Sequence, residues 1–276
     1  MESKTVNIVR SGGIEYILFP KLQNAKGVRH IFSTRKGGVS VGNIGEMNLS
    51  FRNGDKRENV EENYKRLCGA VEIDTSHLVL SRQTHTNNVK TVTKKDCGIG
   101  YSRPEFSDID GLITGETGVA LVTQYADCTP LLFYDPVNRV CANSHSGWRG
   151  TAKRIGAVTV EKMTHEFGCK PENIIAAIGP CICKNCYEVD IPVYEEFNKS
   201  GFSCDFLNKI FIPKGDGEHF SLNLSEANKI ILLNSGIRQE NLDVADICTC
   251  ENSEYLHSHR ATAGKRGNLA AIIEMC

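Results

Sequence analysis

Residues 131–143 constrain the fold more than any other stretch of the chain. Two apolar runs, 131–134 and 140–143, flank Asp135-Pro136-Val137-Asn138. Asp-Pro followed by Asn is strong turn chemistry, so the two runs pair as antiparallel strands. Further β runs fall at 14–19, 28–33, 78–81, 88–93, 111–114, 119–122, 174–178 and 243–247, with Lys36-Gly37-Gly38 as a turn. Residues 269–273 read equally well as strand or helix. Helical spacing places Val60, Tyr64, Leu67 and Val71 on one face of a helix over 57–68, capped by Asp55. A second helix over 152–167 buries Ile155, Val158, the stem of Lys162, Met163 and Phe167. A third over 225–235 takes Ser225 as N-cap and Gly236 as its end. Strands and helices mix without strict βαβ alternation. The expectation is an α+β fold with mixed β-sheets and outer helices, one domain spanning 1–276, rather than a Rossmann fold.

Charge and cysteine usage narrow the function classes. The 276 residues carry 32 Lys+Arg against 33 Asp+Glu, a net charge of −1. That balance speaks against a nucleic-acid glove or a membrane-surface protein, so any anion must be held by a local cluster. No apolar run reaches the ~18 residues of a membrane span, and the first residues lack a signal-peptide pattern. The 12 cysteines are too sparse for a disulfide scaffold. Reduced thiols in a cytoplasmic protein are the expected state.

The chemistry concentrates around Ala126-Asp127-Cys128 and Ser144-His145-Ser146-Gly147-Trp148-Arg149-Gly150. If the turn is residues 135–138, residue 134 pairs with 139 and Cys128 falls directly opposite His145 on one face. A thiolate and an imidazole so placed can share a zinc ion. His85, in the polar loop Arg82-Gln83-Thr84-His85-Thr86-Asn87, is the candidate third ligand. Three protein ligands leave a fourth position for water or substrate, the pattern of catalytic zinc. Gly147–Thr151 opens a helix, and its free N–H groups together with Arg149 form a candidate phosphate site. Arg35, in a basic glycine turn, is a weaker candidate for the same role. Asp127 is either an acid–base group or an orienter of the neighbouring Cys128. Cys181, Cys183 and Cys186 with Cys248 and Cys250 form a candidate second, structural zinc site, although the local C-x-C-x2-C spacing is not a paired knuckle. His257 and His259 would share a face if that segment were extended.

The same residues resemble the YfiH or laccase-domain family, also called multicopper polyphenol oxidoreductases and purine nucleoside phosphorylases. The matching motifs run in order over most of the chain. They begin with Thr34-Arg35-Lys36-Gly37-Gly38-Val39-Ser40, Met47-Asn48-Leu49 and Gln83-Thr84-His85, followed by Asp110-Gly111-Leu112-Ile113-Thr114 and Ala126-Asp127-Cys128-Thr129-Pro130. His145-Ser146-Gly147-Trp148-Arg149-Gly150, Ile178-Gly179-Pro180-Cys181-Ile182, Cys186-Tyr187-Glu188-Val189, Leu222-Asn223-Leu224 and Ser258-His259-Arg260 complete them. The resemblance implies zinc bound by His85, Cys128 and His145. It implies phosphorolysis of adenosine, inosine and methylthioadenosine to base plus ribose 1-phosphate, and deamination of adenosine to inosine. Arg35, Arg149 and Asn48 are the expected substrate or phosphate residues, in a monomer or homodimer without nucleic-acid or membrane partners.

The chain departs from the family pattern at three places. Thr86 replaces the usual Gly after the first His, Asn63-Tyr64 replaces Asn-Arg, and Arg260-Ala261-Thr262 replaces Arg-Arg-Asp. Two rival readings come with the family. A copper-dependent polyphenol oxidase would need many His ligands, and the chain has 8 His in all, though copper at the His2Cys trio is compatible with the sequence. A peptidoglycan-precursor editing amidase would use Cys128 as nucleophile with His145 as its base.

Overall fold

The computed structural model describes residues 3–276. Two mixed β-sheets face each other. The seven-stranded sheet runs, in spatial order, Asn7–Ser11, Ile14–Leu18, Val28–Ser33, Leu269–Met275, Ala120–Tyr125, Leu78–Arg82 and Phe106–Ser107. The six-stranded sheet runs Leu242–Val244, Ile175–Ile178, Thr129–Asp135, Val140–Ser146, Gly111–Thr114 and Val89–Thr91. A small sheet of Glu188–Asp190, His219–Leu222 and Phe211–Pro213 sits apart with its own helices.

Side-chain alternation explains the layering. Along Leu269–Met275, Leu269, Ala271 and Ile273 enter the core between the two large sheets, while Ala270 and Ile272 enter a second core. That second core is covered by the helix Arg57–Gly69 through Val60, Tyr64 and Leu67. In the other sheet Leu132 and Tyr134 face inward, while Leu131 and Phe133 meet the helices Ile155–Phe167 and Leu224–Asn234. The architecture is therefore helix, sheet, sheet, helix, the mixed α+β fold expected. Strands covered on both faces read as continuous apolar runs. This is why 269–273 was ambiguous in sequence: it is a central strand with all seven residues buried.

Three local expectations are corrected. Helix 152–167 is two helices, Trp148–Ala152 and Ile155–Phe167, separated by Arg154 in the left-handed region at φ 55°. Its buried stripe is Ile155, Gly156, Thr159, Val160 and Met163, without Val158 or Lys162. The third helix is capped by Asn223, whose Oδ1 accepts from the Glu226 N–H at 3.1 Å, not by Ser225. Asp55 stands before Lys56, the N-cap of Arg57–Gly69, and instead gathers bonds from Ser40, Asn48 and Asn59.

Candidate metal site and its cavity

The central hairpin forms, with its register moved by two. Asp135 pairs with Val140, and residues 136–139 make the turn. Asp135 remains in the strand because its carboxylate accepts from the Val137 and Asn138 backbone N–H groups at 2.8 and 3.2 Å. His145 therefore faces Pro130, and Cys128 lies just before the strand, level with Gly147 rather than His145. A shift of two keeps every side chain on its original face. Cys128 and His145 still meet, as diagonal neighbours.

Cys128 occupies the crossing where the chain leaves one large sheet at Tyr125 and enters the other at Thr129. His85 follows the strand Leu78–Arg82, and its backbone is left-handed at φ 64°. The ligating atoms of His85, Cys128 and His145 lie within 4.8 Å of one another. The two imidazole rings are 4.9 Å apart.

Asp110 organises the trio. It is fully buried, and its carboxylate accepts from the His145 ring at 2.8 Å and from the Thr84, His85 and Thr86 N–H groups at 3.1, 3.1 and 2.8 Å. The Thr86 hydroxyl adds a bond at 2.9 Å, one that the family's usual Gly could not make. Because Asp110 takes the His145 Nδ1–H, Nε2 is the nitrogen left free to ligate. Burial raises the Asp110 carboxyl, but the His145 bond and charge outweigh it and hold it down at about 2.

The trio fits a soft transition metal. Burial pushes the Cys128 thiol up, yet the His145 charge and hydrogen bonds from His145 and His85 bring it down to about 6. Burial likewise disfavours the His145 imidazolium, but Cys128 and Asp110 reverse that and raise it. The His85 Nδ1 is buried without a hydrogen-bond partner. A Cβ on Gly147 would stand 2.6 Å from that nitrogen and 2.9 Å from the Cys128 sulfur, so glycine is needed beside the trio. Thiolate with two imidazoles suits zinc or copper.

The trio floors an open cavity of about 570 Å³. Asp127, Trp148, Ile182 and Tyr187 form part of its wall, and Arg52, Arg260 and Arg266 supply guanidinium groups. Asp127 is left-handed at φ 83°; its carboxylate accepts from the Thr249 hydroxyl at 2.6 Å and the Arg260 N–H at 2.7 Å. Two non-glycine residues in this conformation, His85 and Asp127, bracket the trio, and stored backbone strain of this kind often marks function.

The anion residues expected from sequence are placed differently. Arg35 donates to the Gly45 and Ser253 carbonyls and does not line the cavity. Gly37 and Gly38 of its turn pack against backbone, with Cβ positions 2.1 Å from the Gly13 carbonyl oxygen and 2.2 Å from that of Glu46. Arg149 is exposed and stacks 4.1 Å over Trp148, which does line the cavity. The helix behind it has only five residues, so its N-terminal field is weak. Asn48 lies beneath the floor, holding the Ser50 and Asn268 N–H groups at 3.1 and 3.0 Å. Arg266, like Arg52, is a cavity guanidinium that sequence reasoning missed. It lines the cavity, bonds the Asn268 side chain, and has a buried Nε without a partner. His257 is buried and His259 exposed in a run of turns, so they do not share a face.

Fold and cavity together define a mixed α+β protein with a candidate transition-metal centre in an open pocket. The chain belongs to the family described as multi-copper polyphenol oxidoreductase laccase, whose model matches residues 29–276. It is 34% identical over 255 residues to the purine nucleoside phosphorylase YlmD of Bacillus subtilis, covering 92% of this chain and 90% of that one. It is 31% identical over 246 residues to adenosine deaminase RL5 from an unknown prokaryotic organism, covering 87% and 92%. The crystal structure of the Bacillus licheniformis hypothetical protein YfiH matches with a TM-score of 0.91 at 28% identity, over 98% of this chain and 99% of that one.

Proposed function

We propose that this chain is a zinc-dependent enzyme of purine nucleosides. It cleaves adenosine, inosine and methylthioadenosine with phosphate, and it deaminates adenosine to inosine. The observation that carries this reading is the His85–Cys128–His145 trio on the floor of a cavity that also offers aromatic faces and guanidinium groups. The relatives named as phosphorylase and deaminase, matched along nearly their whole length, support the same substrates. The reading takes 1–276 as one catalytic unit, acting as a monomer or homodimer in the cytoplasm.

His85, Cys128 and His145 Nε2 hold the metal, which when bound supplies Lewis-acid polarisation at the open side of the trio. Trp148 and Tyr187 offer flat surfaces for the purine, and Arg149 steadies Trp148 from behind. Arg266 holds phosphate. In phosphorolysis a phosphate oxygen bonds C1′ as the bond to the base nitrogen breaks, and the base departs with the electron pair and gains a proton. In deamination a water oxygen bonds C6 and ammonia leaves. Asp127, fixed by Thr249 and Arg260, is the cavity carboxylate positioned to hold and return the proton in either reaction.

Cys128→Ala tests the reading: it should lose the metal at the trio and both activities, and retained activity would defeat it. One observation favours a second reading. The Cys128 thiol, lowered to about 6 beside His145, also suits a nucleophile for amide hydrolysis. Inhibition by chelators would argue against that alternative, and elemental analysis would separate zinc from copper at the same trio.

A further inference from the structure

Five of the cysteines that take no part in the reading above, Cys181, Cys183, Cys186, Cys248 and Cys250, come from two segments. The extension beyond the strand Ile175–Ile178 brings them together: Cys181 bridges Cys248 in parallel register, continuing the pairing of that strand with Leu242–Val244. Cys183 and Cys186 form a C-x2-C turn closed by the Cys186 N–H to Cys183 carbonyl bond at 3.1 Å. This turn folds over Cys248. The Cys248 sulfur accepts two backbone bonds, from the Cys183 N–H at 3.3 Å and the Glu251 N–H at 3.4 Å. Glu251 Oε1 lies 3.4 Å from the Cys183 sulfur and 3.8 Å from the Cys186 sulfur.

We propose that Cys183, Cys186, Cys248 and Glu251 hold a second divalent cation, zinc by the chemistry of the donors, separate from the His85–Cys128–His145 site. Their donor atoms all lie within 4.8 Å of one another. Zinc–sulfur bonds of about 2.3 Å in a tetrahedron place sulfurs roughly 3.8 Å apart, so the cluster closes around an ion by movements of roughly 1 Å or less. Three thiols release their protons to solvent on binding, leaving a centre of net charge −2 with the carboxylate. Lys184 lies within the C-x2-C turn, and Arg260 donates to the Cys186 carbonyl at 3.2 Å, so positive charge is at hand. Four protein donors make this a structural centre rather than a catalytic one.

Its position gives it a task. It fastens the segment 181–187 to the segment 248–251 at the wall of the cavity. Ile182 and Tyr187 line that cavity, and the Ile182 N–H bonds the Asp127 carbonyl at 3.0 Å. Thr249, next to Cys248, holds the Asp127 carboxylate. The ion would therefore steady both the wall and Asp127.

The test is metal content of the full chain prepared under reducing, anaerobic conditions, with zinc and then cobalt(II) as probes. Wild type should hold about two zinc ions per chain. Cys128→Ala should keep about one, and its cobalt(II) form should show intense thiolate-to-metal absorption. Cys183→Ser/Cys186→Ser should also keep about one, with the weaker absorption of a single thiolate and a raised KM for adenosine. Should that double variant not fold, Cys128→Ala alone decides. A folded Cys128→Ala protein that takes up neither metal, or a disulfide among these cysteines in the anaerobic wild type, overturns the proposal. The metal counts and the absorption are independent of which substrate the first site serves; the KM readout alone rests on the function proposed above.

Discussion

Replacing Asp110 by Asn tests how the metal trio is held. The change is nearly isosteric, but it exchanges one acceptor oxygen for an N–H2 donor. In one orientation the new donor faces the Thr84 and Thr86 N–H groups and orphans both. At about 1–3 kcal/mol for each buried donor left unpaired, that costs about 2–6 kcal/mol. In the other orientation it faces the His85 N–H and the His145 Nδ1. Only one backbone donor is orphaned, at about 1–3 kcal/mol, so this arrangement prevails. It then requires His145 Nδ1 to accept, which moves the ring proton to Nε2, the nitrogen needed for the metal. Loss of such an outer partner typically costs about 10–100-fold in metal affinity, or about 1.4–2.7 kcal/mol. Zinc affinity measured by competition with a chromophoric chelator should fall by that factor in Asp110→Asn. Thermal unfolding of the metal-free proteins isolates the separate cost to the fold. Zinc affinity within about threefold of wild type would refute the assignment of Asp110 as the residue that sets the His145 tautomer.

Gly147→Ala should abolish zinc binding at the His85–Cys128–His145 trio while leaving the circular dichroism spectrum unchanged, because the new methyl would stand 2.6 Å from the His85 Nδ1; zinc content equal to wild type would contradict the cradle. Arg266→Ala should raise the phosphate KM by about 10–100-fold, the value of a charge-assisted hydrogen bond of about 1.5–3 kcal/mol, and slow deamination far less; equal effects on both reactions would count against a phosphate role. His30 gives a pH signature. Burial lowers its pKa to about 3, and its Nε2 accepts the Phe19 N–H at 2.8 Å. The unfolded chain takes up this proton below about pH 6.5, whereas the folded chain does not until about pH 3. The His30 contribution is thus complete above pH 6.5 and is lost as pH falls, by about 2 kcal/mol at pH 5. Urea unfolding of His30→Gln, which keeps an acceptor, should show a smaller loss between pH 7.5 and pH 5; an identical pH dependence would refute this origin.

The elements that announced themselves in the sequence were those with local signals. The hairpin at 135–138 was legible from its turn residues, and Cys128 and His145 from residue types placed beside it, whereas His85 was a candidate from its polar loop and from the family resemblance. The register was off by two because the Asp135 side chain binds backbone N–H groups while staying in the strand, a choice that composition does not reveal. Its consequence was small, since an even shift preserves faces. Asp110 stood in a quoted motif, but its role arises from a loop 25 residues earlier folding over it, and no local pattern encodes that contact. Arg266 was hidden for a similar reason. Its neighbours Asn53 and Asn268 come from opposite ends of the chain. Arg149 looked like the anion residue because a helix start and an arginine coincide there, but the helix breaks at Arg154, which stacks 3.8 Å over Phe202. That break is a tertiary event without Gly or Pro to signal it.

The most direct test joins metal to reaction. The untagged chain is analysed for zinc and copper, and the same sample is given adenosine with and without phosphate while adenine, inosine and hypoxanthine are separated by chromatography. Zinc at the His85–Cys128–His145 trio, adenine released only when phosphate is present, and inosine formed without it are the results this account predicts. A zinc-loaded protein that leaves adenosine untouched under both conditions would contradict it.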